Sequence, residues 1–163
     1  MTTVLTRSRE ETVKLGKSLG EALKPGDVVA LSGDLGTGKT TLVIGICDAL
    51  GVRSHVASPT FTMVSEYHAR VSPVVHIDLY RVKSEVEAAE LGIEEYFKGE
   101  NICLIEWPET IRGLLPSRYI EVRLEYGDAD EERRIDILVG DTGDEVHRAR
   151  SKGHRKVHEG QPE

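Results

Sequence analysis

Nine consecutive residues carry the clearest chemistry in the chain. Gly33, Asp34, Leu35, Gly36, Thr37, Gly38, Lys39 and Thr40, with Thr41 next, match G-x-x-x-x-G-K-[ST] at every fixed position. Glycines at those positions let the main chain curl so that successive N–H groups converge on an anion. Lys39 supplies a mobile ammonium for the β- and γ-phosphates, and Thr40 a hydroxyl for Mg²⁺. A helix opening near Lys39 adds unsatisfied N–H groups and the positive end of its dipole. A glycine-rich turn could match by chance. The apolar run "VVALS" before it and the helical pattern "TTLVIGICDAL" after it argue instead for a nucleoside triphosphate cradle.

Two carboxylates close apolar runs elsewhere: Asp78 after "VVHI" and Glu106 after "ICLI". In a parallel sheet both would open on the edge that carries the cradle. One acid could then hold hydrated Mg²⁺ while the other orients the attacking water, and the spacing does not say which does which. For either one alone, a solvated strand-end acid is the alternative. Lys39, Asp78 and Glu106 are therefore the catalytic candidates, and Thr40, Asp78 and Glu106 the metal candidates. Thr60, in "SPTF", either reaches the metal and γ-phosphate as a switch-type Thr or starts an extended segment. His76 shares the sheet face of Asp78 and reads as a packed, hydrogen-bonded core residue. Arg81 suits a phosphate or a surface acid equally. Trp107, the single Trp, either stacks near the nucleotide or packs.

The elements that must position these groups alternate. "TTVL" reads as an edge strand. Ser8 and Glu11 form a capping box for an amphipathic helix over residues 8–23, with Leu15, Leu19, Ala22 and Leu23 on its apolar face. A buried strand over residues 28–32 leads into the cradle, and Gly51 caps the following helix. Residues 61–67 look extended, and residues 74–80 and 101–107 read as buried strands. Ser84 and Glu87 cap a short helix closed by Gly92. "RYIEVRLEY" and "RRIDILV" flank "GDADEE" as a hairpin. The expected fold is α/β, a mostly parallel sheet flanked by helices with a C-terminal antiparallel hairpin. It spans residues 1–140, and a basic tail over residues 141–163 is expected to be disordered.

Composition narrows the setting. The 163 residues suit one domain, and the net charge is −7. The last seventeen residues hold five Lys/Arg against two Asp/Glu, so the body is more acidic still, at −10. An acidic body argues against a large nucleic-acid surface on the folded part. Cys47 and Cys103 lie in apolar runs, as buried reduced thiols do. No apolar run approaches the roughly 18–20 residues of a membrane span, and the start lacks a signal core. The expectation is a soluble cytoplasmic protein. Without N-K-x-D there is no support for GTP-type base reading, and no arginine-rich lid of the kind small-molecule kinases use is evident. A small-molecule kinase and a nucleotide-gated binding module remain the rivals of an ATPase.

"GDLGTGKTT", "SPTF", "HIDLYR", "LGIEEYF" and "LIEWPE" occur in an order and spacing that resemble the TsaE (YjeE) family, bacterial ATPases of tRNA threonylcarbamoyladenosine (t6A) synthesis. The resemblance runs from about residue 8 to residue 139. It implies a P-loop α/β fold with added antiparallel strands, ATP and Mg²⁺ as ligands, and weak ATP hydrolysis. It implies work with the TsaB–TsaD pair, which hydrolysis resets between turnovers, with tRNA met through that complex. Residues 33–41 carry over as the nucleotide loop, Thr40 and Glu106 as metal ligands, and Asp78 as the water-orienting or metal-linked acid. Thr60 and Trp107 match the switch-like loop and the Trp after the metal acid. The family's contacts from the first helix and last strand pair point to Arg9, Glu10, Thr12 and Arg133 or Arg134, of which Arg134 is taken as the nucleotide contact. Thr37 stands where Ala is commoner, and the basic tail departs from the family pattern, either as a contact to tRNA or as a solvated extension.

Overall fold

The computed structural model describes residues 1–139; the basic tail, and the expectation of disorder there, lie outside the described residues. Seven strands form one sheet: β1 (Thr2–Thr6), β2 (Val28–Ser32), β3 (Val64–Tyr67), β4 (Val74–Asp78), β5 (Ile102–Glu106), β6 (Ile120–Tyr126) and β7 (Arg133–Leu138). Three α-helices join them: α1 (Arg9–Ala22), α2 (Lys39–Ala49) and α3 (Glu85–Glu90). Strand order is β1-β7-β6-β2-β5-β4-β3. The centre, β6-β2-β5-β4, is parallel, and the outer pairs β1–β7, β6–β7 and β3–β4 are antiparallel. This is the expected α/β sheet with its C-terminal hairpin. Antiparallel strands on both flanks leave the fully buried apolar strands β2, β4 and β5 in the middle.

Alternation along the central strands splits the core in two. Val29, Leu31, Ile102, Leu104 and Val74 meet Leu42, Val43 and Ile46 of α2 on one face. Val28, Ala30, Val75, Ile77, Cys103 and Ile105 meet Ala88 of α3 and Ile93 and Ile111 of two 3-10 turns on the other. By the same alternation His76 and Asp78 follow Val74 onto the α2 face, and Glu106 follows Leu104.

Both caps form as read. Ser8 Oγ accepts from the Glu11 amide at 3.1 Å and Ser84 Oγ from the Glu87 amide at 3.1 Å. The two carboxylates reach back one residue further than expected, to the amides of Arg7 and Lys83. Gly51, at φ 82°, follows α2 in the left-handed conformation a helix stop requires.

Three expectations shift. The stretch over residues 61–67 is extended only from Val64: residues 60–62 turn, the Met63 amide bonds to the Pro59 carbonyl at 2.6 Å, and Met63 takes φ 63°. The strand expected to reach Tyr80 ends at Asp78, because the Asp78 carboxylate captures the Tyr80 amide at 2.9 Å and turns the chain. On α1 the leucines at 15, 19 and 23 are only half-buried and Ala22 is exposed, whereas Thr12, Gly16 and Gly20 are buried.

The cause of the third is a close helix crossing. A Cβ on Gly16 would fall 2.4 Å from the Leu42 carbonyl oxygen, and one on Gly45 2.2 Å from the Val13 carbonyl oxygen. Both neighbours are main chain. Alanine in a helix interior is ordinarily favoured over glycine by about 1 kcal/mol. Here overpacking of roughly 1–3 kcal/mol opposes that gain. Gly45→Ala is therefore expected to lower the thermal midpoint by several degrees in a melt followed by circular dichroism. A midpoint at or above the parent's would show that the helices separate without cost.

Candidate functional site

The loop after β2 and the ends of β4 and β5 meet at one sheet edge. Register places Leu31 beside Glu106 and Glu106 beside Asp78, so the two acids lie on the first and second strands to one side of the strand that feeds the loop. A cleft of about 360 Å³ opens there, with Gly38, Lys39, Thr40, Asp78, Glu106 and Trp107 among its lining.

The loop's conformation depends on its glycines at two places. Gly33, at φ 146°, lies so near β6 that a Cβ would sit 2.4 Å from the Leu124 carbonyl oxygen. Gly38, at φ 99°, is the N-cap of α2 and offers no side-chain acceptor, so the first-turn N–H groups stay available to an anion. Thr37 is buried and its hydroxyl donates to the Asp34 carbonyl at 2.8 Å, bracing the curl from inside. The hairpin braces it from outside. Tyr126 Oη donates to the Leu35 carbonyl, and Arg133 Nη2 reaches the Gly36 carbonyl at 3.4 Å while stacking on the Tyr126 ring.

Lys39 is buried and its ammonium donates to the Gly33 and Asp34 carbonyls at 2.5 and 2.9 Å. It also sits 4.0 Å from the centre of the Trp107 ring. Burial pushes Lys39 below the usual lysine range, and the charges of Glu106, Glu109, Asp78 and Asp34 oppose that shift. Trp107 takes φ 61°, which ends β5 and folds its indole back over Lys39, with the Tyr80 ring 5.0 Å away.

The two acids have different surroundings. Thr40 Oγ1 donates to Glu106 at 2.9 and 3.1 Å, and His76 Nε2 lies 2.8 Å from Glu106 Oε1. Asp78 accepts from Ser58 Oγ, from Thr60 Oγ1 at 3.2 Å and from the Tyr80 amide. Glu106 thus belongs to the loop's threonine, and Asp78 to the "SPTF" segment. Among the described residues no three His, Cys, Asp or Glu side chains are grouped to hold a metal by themselves. Mg²⁺ is commonly held by one or two protein oxygens together with phosphate and water. The hydroxyl of Thr40 against the carboxylate of Glu106 is a hard-oxygen pair of that type, so the residues fit the ion.

The expected residues converge, with two exceptions. Thr60 lies on Asp78 and in the cleft lining. Arg81 pairs with no acid among the described residues; its guanidinium stacks 4.2 Å over the Phe61 ring. Arg134 lies 3.5 Å from Asp136, away from the loop; Arg133 instead lines a second cavity with Arg9, Thr12 and Gly36. Ser58 was missed as a partner of Asp78, although its place two residues before Thr60 sets both hydroxyls on one side of the segment. Tyr126 was missed too, for only the register of the hairpin brings it to Leu35. No helix among the described residues is long and apolar enough to cross a membrane.

Known proteins match this chain in sequence and in fold. The family described as "Threonylcarbamoyl adenosine biosynthesis protein TsaE" matches residues 6–135. The tRNA threonylcarbamoyladenosine biosynthesis protein TsaE of Bacillus subtilis is 42% identical over 130 residues, 80% of this chain and 80% of that protein. The protein so named in Rickettsia conorii is 48% identical over 133 residues, 81% of this chain and 74% of that one. The crystal structure of Bacillus subtilis YdiB shares the fold at a TM-score of 0.73 and 34% identity, covering 93% of this chain and 95% of that chain. The match runs from the end of β1 into β7 and so takes in the loop, both strand-end acids and the bracing hairpin: the chain belongs to the TsaE family of threonylcarbamoyl adenosine biosynthesis proteins.

Proposed function

We propose that this chain is the Mg²⁺-dependent ATPase subunit of the tRNA t6A machinery, acting in the cytoplasm with TsaB and TsaD partners and meeting tRNA through them. One observation carries the ATPase reading. A curled loop with an open helix N-terminus, Lys39 and Thr40 faces two acids, each held by its own hydrogen-bond set. A triphosphate laid on the loop would draw the Lys39 ammonium off the Gly33 and Asp34 carbonyls and onto its oxygens. Thr40 and Glu106 would hold the metal, which when bound neutralises charge on the phosphate oxygens. Asp78, which lines the same cleft but bonds to Ser58 and Thr60 and not to the loop's threonine, is the group suited to orient the water. That water attacks the γ-phosphorus, the bond to the β–γ bridging oxygen breaks, and ADP and phosphate leave. The partner proteins enter through family membership, and the resetting of their complex by hydrolysis is the role that weak intrinsic turnover would suit.

Phosphate release should be measured with ATP and Mg²⁺, alone and with purified TsaB–TsaD. Slow release that rises with the partners is the expected result; phosphate appearing on a metabolite would support a kinase instead. Lys39→Ala is expected to weaken ATP by at least about 100-fold, since it removes the side-chain cation that the loop itself would place on the phosphates. Calorimetric titration with ATP reads this in both proteins; in the wild type Trp107 emission follows binding as well, because nucleotide would move the Lys39 ammonium off the indole face. Wild-type affinity in the variant would remove the loop from the account. Asp78→Asn and Glu106→Gln are expected to keep nucleotide binding within a few fold while slowing hydrolysis by roughly 10²–10³. Single-turnover rates would check this, and full rates in either variant would dismiss that acid.

A further inference from the structure

His76 has a contact that its place in an apolar strand does not require. It is fully buried, between Ser65 of β3 and Leu104 of β5 in the sheet register, with the Tyr67 ring 6.4 Å away. Its Nε2 lies 2.8 Å from Glu106 Oε1, and its Nδ1 has no hydrogen-bond partner among the described residues. A carboxylate only accepts, so Nε2 carries the proton of this bond. The ring is therefore committed to one neighbour, and that neighbour is the acid paired with Thr40.

Each of the three groups in this chain comes from a different element: Thr40 from α2, Glu106 from the end of β5 and His76 from the middle of β4. The Thr40 hydroxyl lies near both oxygens of Glu106 and does not select a rotation of the carboxylate. The bond from His76 goes to Oε1 alone and does select one.

We propose that His76 is a positioning residue for the metal: it pins Oε1 of Glu106 so that the other oxygen and Thr40 Oγ1 present a preset pair to a divalent cation. Groups that orient a metal ligand from behind typically change metal affinity by about 10- to 100-fold when removed. The inference rests on the metal role given to Glu106 under the proposed function.

Two variants separate orientation from packing. His76→Leu fills the buried space and deletes the donor; His76→Gln keeps an N–H donor at a similar reach. ADP affinity is measured by calorimetry in EDTA. Mn²⁺ binding to the protein–ADP complex is then followed by loss of the free-ion electron paramagnetic resonance signal. His76→Leu is expected to weaken Mn²⁺ by about 10- to 100-fold with metal-free ADP affinity unchanged within about twofold, and His76→Gln to recover most of the loss. Wild-type Mn²⁺ affinity in His76→Leu overturns the proposal. So does an equal loss of metal and of metal-free ADP affinity in both variants, which marks a role in packing alone. Failure of the wild-type protein to bind ADP or Mn²⁺ counts against the proposed function itself, and the His76 assignment falls with it.

Discussion

Glu106 is 3% exposed, at the end of an otherwise apolar strand. A carboxylate so placed is costly to bury unless hydrogen bonds replace the water it has left. Thr40 and His76 supply them, from the first turn of α2 and from β4. That requirement ties three elements together at one point of the sheet edge. It sets the start of α2 against β5, and thereby how far the loop between β2 and α2 must curl. The site is not an addition to a finished scaffold. The polar contacts that satisfy a buried acid are also those that place a hydroxyl and a carboxylate side by side.

The second acid is placed by a different logic. Asp78 ends β4 by capturing the Tyr80 amide, and its remaining oxygen receives the hydroxyls of Ser58 and Thr60. The segment carrying those hydroxyls turns at Met63 and has few regular main-chain bonds of its own. Its position depends on the carboxylate it bonds. Asp78 is therefore linked to a loop, whereas Glu106 is linked to a helix and a strand.

Much of this was legible in the residues. The loop motif, the acids at strand ends and both Ser caps are short-range patterns, each with a local physical cause, and the structure places them as read. What escaped were features set by distant parts of the chain. Periodicity assigned the leucines of α1 to the core, but the glycines are deeper because of what lies opposite them on α2. Neighbouring arginines at 133 and 134 look alike in sequence; alternation on β7 sends one to the loop and the other to Asp136. Arg81 was expected on a charge and stacks on an aromatic ring. Residues 61–63 carry extended propensity, yet the bonds to Asp78 from Ser58 and Thr60 favour a turn.

The contact between α1 and α2 has its own consequence for how the molecule tolerates change. Cores usually absorb an altered side chain by letting neighbouring side chains take up other rotamers. Around Gly16 and Gly45 the nearest atoms are all main chain, which has no rotamers to exchange. Relief there could come only from moving a whole helix, and α2 starts at the residue whose ammonium caps the loop. Two positions with no side chain at all, more than a helical turn from the cleft, thus hold the alignment of the cradle as firmly as the residues that line it.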